Sequence, residues 1–199
     1  MESIEFWYDF ASPYSYLAAE RIGGLAVEAG VALRWQPFVI GPILKLRPGQ
    51  ASATQDAPPA QKAYRRRDVG RSCAQYGLAL NWPTTYPRNG LLAARVALAA
   101  SDAWRERFSI AVYRANFVED REISNQAVIA SILQEIGQDA DVALAAALLP
   151  ANKALLIHHV DEAIARGIFG APSFMIENEL FWGNDRLEQA LQWAKQPWL

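Results

Sequence analysis

The stretch that decides the fold is IEFWYDFASPYSYLA, residues 4–18 of the 199-residue chain. Apolar and polar residues alternate from Ile4 to Phe10, which predicts a β-strand. Ser12 and Pro13 end the alternation, and Pro13 suits the first position of a helix whose N-cap is Ser12. An apolar stripe follows and stops at Gly30, a typical helix end. The chain therefore opens with a strand that leads directly into a Ser-Pro helix start.

Further β-signals lie on both sides of this helix in sequence. Residues 31–35 alternate again and predict a second strand that ends at Pro37. Two strands that flank one helix predict a right-handed parallel βαβ unit. Near the other end, residues 173–176 and 180–182 surround Glu177-Asn178-Glu179, which indicates a β-hairpin. A last helix follows, and we expect Asn184 and Asp185 to cap it.

The middle of the chain shows helix signals only. Residues from Ile40 to about Gln61 form a predicted loop rich in Pro, Gly, Ala and Ser. Helical segments are predicted from Pro58 to Gly77, from Leu91 to Ala100, from Trp104 to Val118, from a Ser124 cap to Gly137, from Asp139 or Asp141 to Pro150, and from Asn152 to Arg166. This block is too long for a simple crossover. We expect a small mixed sheet divided by an all-helical insertion.

Composition narrows the function classes. The formal net charge is −2 and the sequence pI is about 5.7, so we do not expect a nucleic-acid partner. Cys73 is the only cysteine, and His158 and His159 are the only histidines, which argues against a disulfide framework and a metal site. The acidic start lacks an apolar signal core, and residues 142–149 are too few to span a membrane. We expect a cytoplasmic protein.

Three short stretches carry the candidate chemistry. Ser12 at a helix N-terminus presents a hydroxyl beside free amides that favour an anion such as a thiolate. Pro172, which follows Ala171 and directly precedes a strand, is a typical position for a cis peptide bond. Asn184 and Asp185 stand at the last helix start. Each stretch taken alone has a plain structural alternative, namely an N-cap, an ordinary loop proline and a capping pair.

Taken together, the three stretches and the element order predict an α/β protein with a thioredoxin-like fold and an inserted all-helical domain. The thioredoxin-like part comprises residues 1–39 and 167–199 with the helix 152–166, and the insertion comprises residues 40–151. Oxidoreductases of this fold carry Cys-Pro-x-Cys at the helix start. Here the matching residues are Ser12-Pro13-Tyr14-Ser15, which excludes disulfide exchange at this position.

The chain resembles the 2-hydroxychromene-2-carboxylate isomerases, which have a DsbA-like thioredoxin fold, and the related kappa-class glutathione transferases. The matching motifs are YDFASPYSYLA at 8–18, Tyr64-x-x-x-Asp68-x-x-Arg71, Pro87-Arg88-Asn89 with Ala94-Arg95, FGAPSF at 169–174 and FWGNDRL at 181–187. One departure concerns residues 48–59. The family follows its lysine with Gly-Asn and a Pro pair, whereas Pro48-Gly49-Gln50 is shifted and a longer stretch precedes Pro58-Pro59.

The resemblance implies glutathione as cofactor and a role for each matching residue. Ser12 would hydrogen-bond the glutathione sulfur, and the Ala171 backbone before cis-Pro172 would hold the cysteinyl part. The γ-glutamyl end would meet Asn184 and Asp185. A family lysine near the ligand matches Lys45. Candidate substrate-pocket residues are Tyr14, Trp82, Tyr86 and Asn89, although core packing explains Trp82 and Tyr86 equally well.

The implied reaction interconverts a hydroxychromene carboxylate and trans-o-hydroxybenzylidenepyruvate by reversible thiolate addition, so the second partner would be an aromatic carboxylate. A homodimer is implied as well. Two alternatives remain open: a kappa-class-like transferase that conjugates electrophiles, and a non-catalytic glutathione-binding module. The basic residues around Tyr64 are expected to form a solvated helix face. Cys73 and the two histidines are expected to be structural or surface residues.

Overall fold

The computed structural model describes residues 3–46 and 57–197, which form a four-stranded sheet and helices. The strands are β1 (Ser3–Tyr8), β2 (Ala32–Pro37), β3 (Ser173–Ile176) and β4 (Glu179–Trp182). The helices are α1 (Pro13–Ala29), α2 (Gly41–Lys45), α3 (Pro59–Tyr76), α4 (Leu91–Ala99), α5 (Asp102–Phe117), α6 (Gln126–Glu135), α7 (Ala140–Leu148), α8 (Pro150–Ala165) and α9 (Leu187–Lys195). The 3₁₀ turn Asn184–Arg186 precedes α9.

The sheet order is β2-β1-β3-β4. β1 and β2 are parallel, as the βαβ prediction requires, and their register pairs Ser3 with Ala32. β3 runs antiparallel to β1, and β4 runs antiparallel to β3 as the expected hairpin. The predicted α/β class is therefore confirmed. Since β1 lies second in the order, both of its sides are paired and its end is held at the centre of the sheet.

The alternation of β1 divides the core into two clusters. Phe6 and Tyr8 are fully buried in the larger cluster, which also contains buried residues of α1, α5 and α9. Trp7 points to the other face, where it packs with Ile43 of α2 and Val160 of α8. Successive side chains of a strand face opposite sides, so this one segment supports helices on both faces of the sheet.

Three local predictions are wrong. The predicted loop after Ile40 contains the helix α2, because Pro42 occupies an early helical position, where its missing N–H costs nothing. The α6 cap is Asn125, whose side chain accepts from the Ala127 amide, because the hydroxyl of Ser124 bonds to Glu122 instead. The last predicted helix of the middle block begins at Pro150, before the expected start.

Other predicted boundaries are reproduced closely. Ser12 is the N-cap of α1, and Gly30 ends that helix with φ of 70°. The predicted segment from Trp104 to Val118 corresponds to α5, and Asp139 rather than Asp141 caps α7. The shifted stretch 48–59 lies mostly outside the described residues. The proposed division into a thioredoxin-like part and an insertion stays a prediction.

No single helix within residues 3–46 and 57–197 is long and apolar enough to cross a membrane. In that part of the chain, α7 and α8 reach the necessary length and composition only when taken together, and they are bent by 65° at their junction.

A mostly buried histidine packs against Trp7 of the smaller core cluster. His159 of α8 stacks on Trp7, with ring centroids 4.5 Å apart. Its side chain is 12% exposed, and its Nδ1 lies 3.6 Å from a Glu162 carboxylate oxygen. Its Nε2 is buried without a hydrogen-bond partner among the described residues. Burial lowers the pKa of His159 below its ordinary value of 6.5, so folding favours the neutral imidazole.

This burial predicts an acid-sensitive contribution to stability. The unfolded chain takes up the His159 proton near pH 6.5, whereas the folded chain takes it up only at lower pH. The contribution is therefore present above pH 6.5 and is lost as the pH falls towards the folded pKa. We expect His159→Phe, which retains an aromatic ring, to reduce the fall in unfolding free energy between pH 7 and 5, measured by urea denaturation.

The neighbouring exposed histidine supplies the control. His158 is exposed on the same helix, so His158→Phe should leave the pH dependence as in the unmodified protein. Equal pH dependence in the unmodified protein and in His159→Phe would contradict this account.

Candidate functional site

The site is built on the first turn of α1. The Ser12 Oγ accepts a hydrogen bond from the Ser15 amide at 3.2 Å, and the Ser12 carbonyl accepts from the Tyr16 amide at 3.1 Å. The first turn holds no acidic residue, so no side chain within that turn offsets the partial positive charge of the helix N-terminus. Ser12 itself is half-buried. The result is a hydroxyl and helix amides at a partly accessible position.

A second loop meets this helix start. The Ser12 Oγ donates a hydrogen bond to the Ala171 carbonyl at 2.9 Å, across 159 positions of sequence. The Ala171-Pro172 peptide bond is cis, as expected from sequence. Within residues 3–46 and 57–197 the Ala171 amide donates no hydrogen bond to the protein. The structure therefore brings Ser12, Ala171 and Pro172 together and leaves one backbone donor beside them.

Gly170 allows the proline loop to approach β4. A Cβ atom at Gly170 would overlap the Nε1 atom of the Trp182 indole. The same indole also contacts Phe169, with ring centroids 4.9 Å apart. The Ser173 hydroxyl also donates to the Gly170 carbonyl at 2.9 Å. The loop that carries Ala171 is therefore packed against the indole at a position where no side chain fits.

The predicted capping role of Asn184 and Asp185 is wrong. Both residues lie in the 3₁₀ turn, and neither side chain caps α9. Asn184 is 5% exposed; its Oδ1 accepts from Arg21 of α1 at 3.1 Å, and its Nδ2 donates to the Tyr76 hydroxyl at 3.5 Å. The turn directs this amide into the protein. Asp185 is exposed and lies 3.6 Å from Arg186.

The substrate-pocket candidates lie in α1 and in the segment between α3 and α4. The Tyr14 hydroxyl donates to Asp68 of α3 at 2.9 Å, and Asp68 also pairs with Arg71 at 2.9 Å. Burial, and then the hydrogen bond and charge of Asp68, raise the pKa of Tyr14 above its ordinary value of 10.0. Tyr14 is thus a neutral phenol in the first turn of α1, and its hydroxyl is held by Asp68 of α3.

The other pocket candidates make contacts of their own. Trp82 and Tyr86 contact each other at 4.8 Å between ring centroids and pack partly on the larger core cluster. Asn89 is exposed, and its Oδ1 accepts from the Leu91 amide at 2.9 Å at the start of α4. Lys45 is exposed at the end of α2. Roles for these four residues in binding stay predictions.

The structure adds two residues near the site that were not predicted from the sequence, Asp9 and Arg21. Asp9, just before the helix start, is 6% exposed. The Arg21 guanidinium lies 3.7 Å from the centroid of the Tyr76 ring and also pairs with Glu188. An acidic residue at the end of an aromatic strand was a usable signal for Asp9. No local pattern connects Arg21 with Asn184, since α1 and the last turn are far apart in sequence.

Cys73 is not part of this chemistry. It is 2% exposed within α3, and burial raises its pKa to about 11. A thiol with such a pKa is almost entirely protonated at neutral pH and is a poor nucleophile. The expectation of a packed, structural cysteine agrees with this environment.

Comparison with known protein families identifies the fold that carries this geometry. The DSBA-like thioredoxin domain matches residues 3–193. The chain belongs to the DSBA-like thioredoxin family. The predicted thioredoxin-like fold is thus confirmed, and Ser12 occupies the helix start of a DSBA-like domain.

Relatives of this DSBA-like chain agree with the resemblance seen in the sequence. A 2-hydroxychromene-2-carboxylate isomerase from Sphingobium xenophagum is 28% identical, over 94% of this chain and 95% of the relative. The glutathione S-transferase kappa 2 of Caenorhabditis elegans is 21% identical, over 98% of this chain and 92% of the relative. The solved structure of a 2-hydroxychromene-2-carboxylate isomerase matches with a TM-score of 0.85 at 24% identity, over 94% and 91% of the two chains. These findings support an enzyme, an isomerase.

The close approach of Trp182 to Gly170 predicts a sensitive position. We expect Gly170→Ala to lower the unfolding free energy by about 1–3 kcal/mol, because the indole or the proline loop must move. Thermal and urea denaturation measure the loss. Gly24→Ala is the matched control: a Cβ atom at Gly24 would have no atom within 4 Å, and alanine in a helix should stabilise by about 0.5–1 kcal/mol.

A second substitution tests the stated cause. Trp182→Ala removes the atoms that a methyl group at position 170 would meet. It should therefore lower the unfolding free energy less in the Gly170→Ala protein than in the unmodified chain. Strictly additive losses would show that the indole is not the obstacle.

Proposed function

We propose that the chain is a glutathione-dependent isomerase that interconverts 2-hydroxychromene-2-carboxylate and trans-o-hydroxybenzylidenepyruvate-type aromatic compounds. The observation that carries the proposal is the Ser12 hydroxyl at the N-terminus of α1, 2.9 Å from the Ala171 carbonyl. Both redox positions of the helix start hold serine, at 12 and 15. The site therefore has the setting that favours a thiolate but supplies no thiol of its own.

The residues present fit glutathione. Among residues 3–46 and 57–197 the Ala171 amide has no acceptor, while the carbonyl of the same residue bonds Ser12, so a peptide-like ligand would find a backbone donor there. Asn184 and Asp185 would hold the γ-glutamyl end, and Lys45 would add a positive charge. When bound, glutathione supplies a thiolate that adds reversibly to a conjugated double bond and so permits rotation about it.

The protein's own contribution is electrostatic. The amides of the first turn of α1 and the helix dipole stabilise an anion, with no acidic side chain in that turn to oppose them. When the anion binds, the Ser12 hydroxyl would stop donating to the Ala171 carbonyl and would donate to the anion instead. A free thiol has a pKa of about 8.5, and each unit by which the site lowers it corresponds to about 1.4 kcal/mol.

The substrate side is expected to use aromatic and phenolic groups. Tyr14 presents a neutral hydroxyl in the same helix turn as Ser12, and Trp82 and Tyr86 would contact the substrate ring. The basic residues of α3 would attract the carboxylate of the substrate. A cytoplasmic location and a homodimer stay predictions that follow from the resemblance and the sequence.

The decisive assay follows both substrate absorbance and free thiol. The protein is incubated with glutathione and an o-hydroxybenzylidenepyruvate. Isomerisation with no loss of glutathione supports the proposal. Consumption of glutathione with release of an adduct would instead identify a conjugating transferase, the activity that the name of the kappa-class relative indicates. Glutathione binding without turnover would identify the non-catalytic glutathione-binding module, and absence of both would remove glutathione from the function.

Removal of the serine hydroxyl should separate turnover from binding. We expect Ser12→Ala to reduce kcat by about a hundredfold, the usual cost of losing one hydrogen bond to a catalytic anion. Glutathione affinity, measured by isothermal titration calorimetry, should change far less, because the rest of the tripeptide would keep its contacts.

Ser15→Ala is the matched control on the same helix. The Ser15 hydroxyl is buried and lies beside Tyr113, away from the Ala171 carbonyl that Ser12 contacts, so its loss should have little effect on kcat. Equal kcat in Ser12→Ala and the unmodified protein would remove the proposed role of Ser12.

A further inference from the structure

Asp9 connects the turn before α1 to the segment that follows β2. Its carboxylate accepts from the Ala11 amide at 2.7 Å and, through the other oxygen, from the Ile40 amide at 2.8 Å. Its backbone carbonyl accepts from the Ser12 amide and from the Tyr113 hydroxyl, both at 3.0 Å. One buried residue thus ties the turn that carries Ser12 to the segment that follows β2.

The Asp9 carboxylate has no cationic partner among residues 3–46 and 57–197. Tyr113 of α5 and Tyr8 of β1 face this region as neutral phenols, because burial raises the pKa of both. Arg88, before α4, forms its ion pairs with acidic residues after α5. Lys45, at the far end of α2, is exposed.

Retaining such a group is costly. A buried carboxylate without a counter-ion loses its hydration, and two amide hydrogen bonds return only part of that loss. Burial accordingly raises the pKa of Asp9 above its ordinary value of 3.8, while the Ile40 and Ala11 amides oppose the rise. Both carboxylate oxygens accept amide hydrogen bonds, as the ionised form does, and in that form a carboxylate beside a helix N-terminus repels any anion held there.

We propose that Asp9 is a positioning residue that fixes the Ser12 turn to the Ile40 segment and whose negative charge limits the ionisation of a thiol at the mouth of α1. This inference rests on the proposed function. The helix amides favour a thiolate, and Asp9 opposes them. The opposition has a use, because the nucleophilicity of a thiolate falls as its pKa falls. Asp9 therefore lowers the fraction of thiol that is ionised but keeps the remaining thiolate more nucleophilic.

The test places the thiol on the protein itself, which separates this inference from glutathione binding. In the Ser12→Cys protein, the rate of alkylation by iodoacetamide is measured from pH 5 to 10, with the unmodified chain giving the background from buried Cys73. Adding Asp9→Asn should lower the pH midpoint of the reaction by about one unit. An unchanged or higher midpoint in a folded Asp9→Asn protein overturns the proposal.

The matched control is Asp141→Asn in the same Ser12→Cys background. Asp141 is exposed in the first turn of α7, and its substitution changes the net charge by the same amount. The alkylation midpoint should stay where it is in the Ser12→Cys protein. A shift equal to that of Asp9→Asn would assign the effect to net charge and overturn the proposal.

A reciprocal measurement needs no substitution at Asp9 and covers the case in which Asp9→Asn does not fold. The Ser12→Cys thiol is alkylated with iodoacetate, which leaves a negative group, or with iodoacetamide, which leaves a neutral group of similar size. The Asp9 carboxyl is then titrated by ¹³C NMR. Coupling is reciprocal, so the negative adduct should raise the pKa of Asp9 relative to the neutral adduct, and equal values overturn the proposal.

These outcomes are distinct from those of the proposed function. Failure of the unmodified chain to bind glutathione would overturn the isomerase proposal and leave the coupling of Asp9 to a thiol measurable. Glutathione-dependent isomerisation together with unshifted alkylation midpoints would retain the isomerase and remove the role of Asp9.

Discussion

The hydrogen bond from the Ser12 hydroxyl to the Ala171 carbonyl joins the two ends of the chain at the site. Its donor sits on the first turn of α1, and its acceptor precedes the cis-proline at the start of β3. The bond requires β1 and β3 to be neighbours. Their antiparallel pairing places the end of β1, where α1 begins, next to the start of β3, where the proline loop ends. Every proposed role of glutathione depends on this arrangement.

The central strand β1 holds the start of α1 in place. Alternate side chains of that strand are buried on opposite faces, so α1 with α9 and α2 with α8 pack against one segment. Just past the end of β1, the Asp9 carboxylate accepts hydrogen bonds from the Ala11 and Ile40 amides and so holds together the segments that follow β1 and β2. The N-terminus of α1 is therefore held in place by β1, which precedes it, and by the buried Asp9 carboxylate.

In the proposed function, the charges around the first turn of α1 would stabilise a bound thiolate in a thioredoxin-like fold that lacks both cysteines of the redox motif. The N-terminal amides of α1 stabilise an anion whether the sulfur is built in or bound. Serine at positions 12 and 15 keeps a hydrogen-bond donor and removes the redox couple. Relatives named as an isomerase and as a kappa-class transferase are similar to this chain over most of its length.

The sequence by itself determined the strand-helix-strand opening, the Ser12 cap, the Gly30 stop, the closing hairpin and the cis-proline position. Those features depend on local periodicity and on residues with narrow backbone preferences. Tertiary structure alone decided that Asn184 turns inward to Arg21, that Tyr14 bonds Asp68 on α3, and that Asp9 is buried with no counter-ion in the described part of the chain. These partners are distant in sequence, and a polar side chain selects among caps, solvent and remote partners only once packing has brought the candidates within reach.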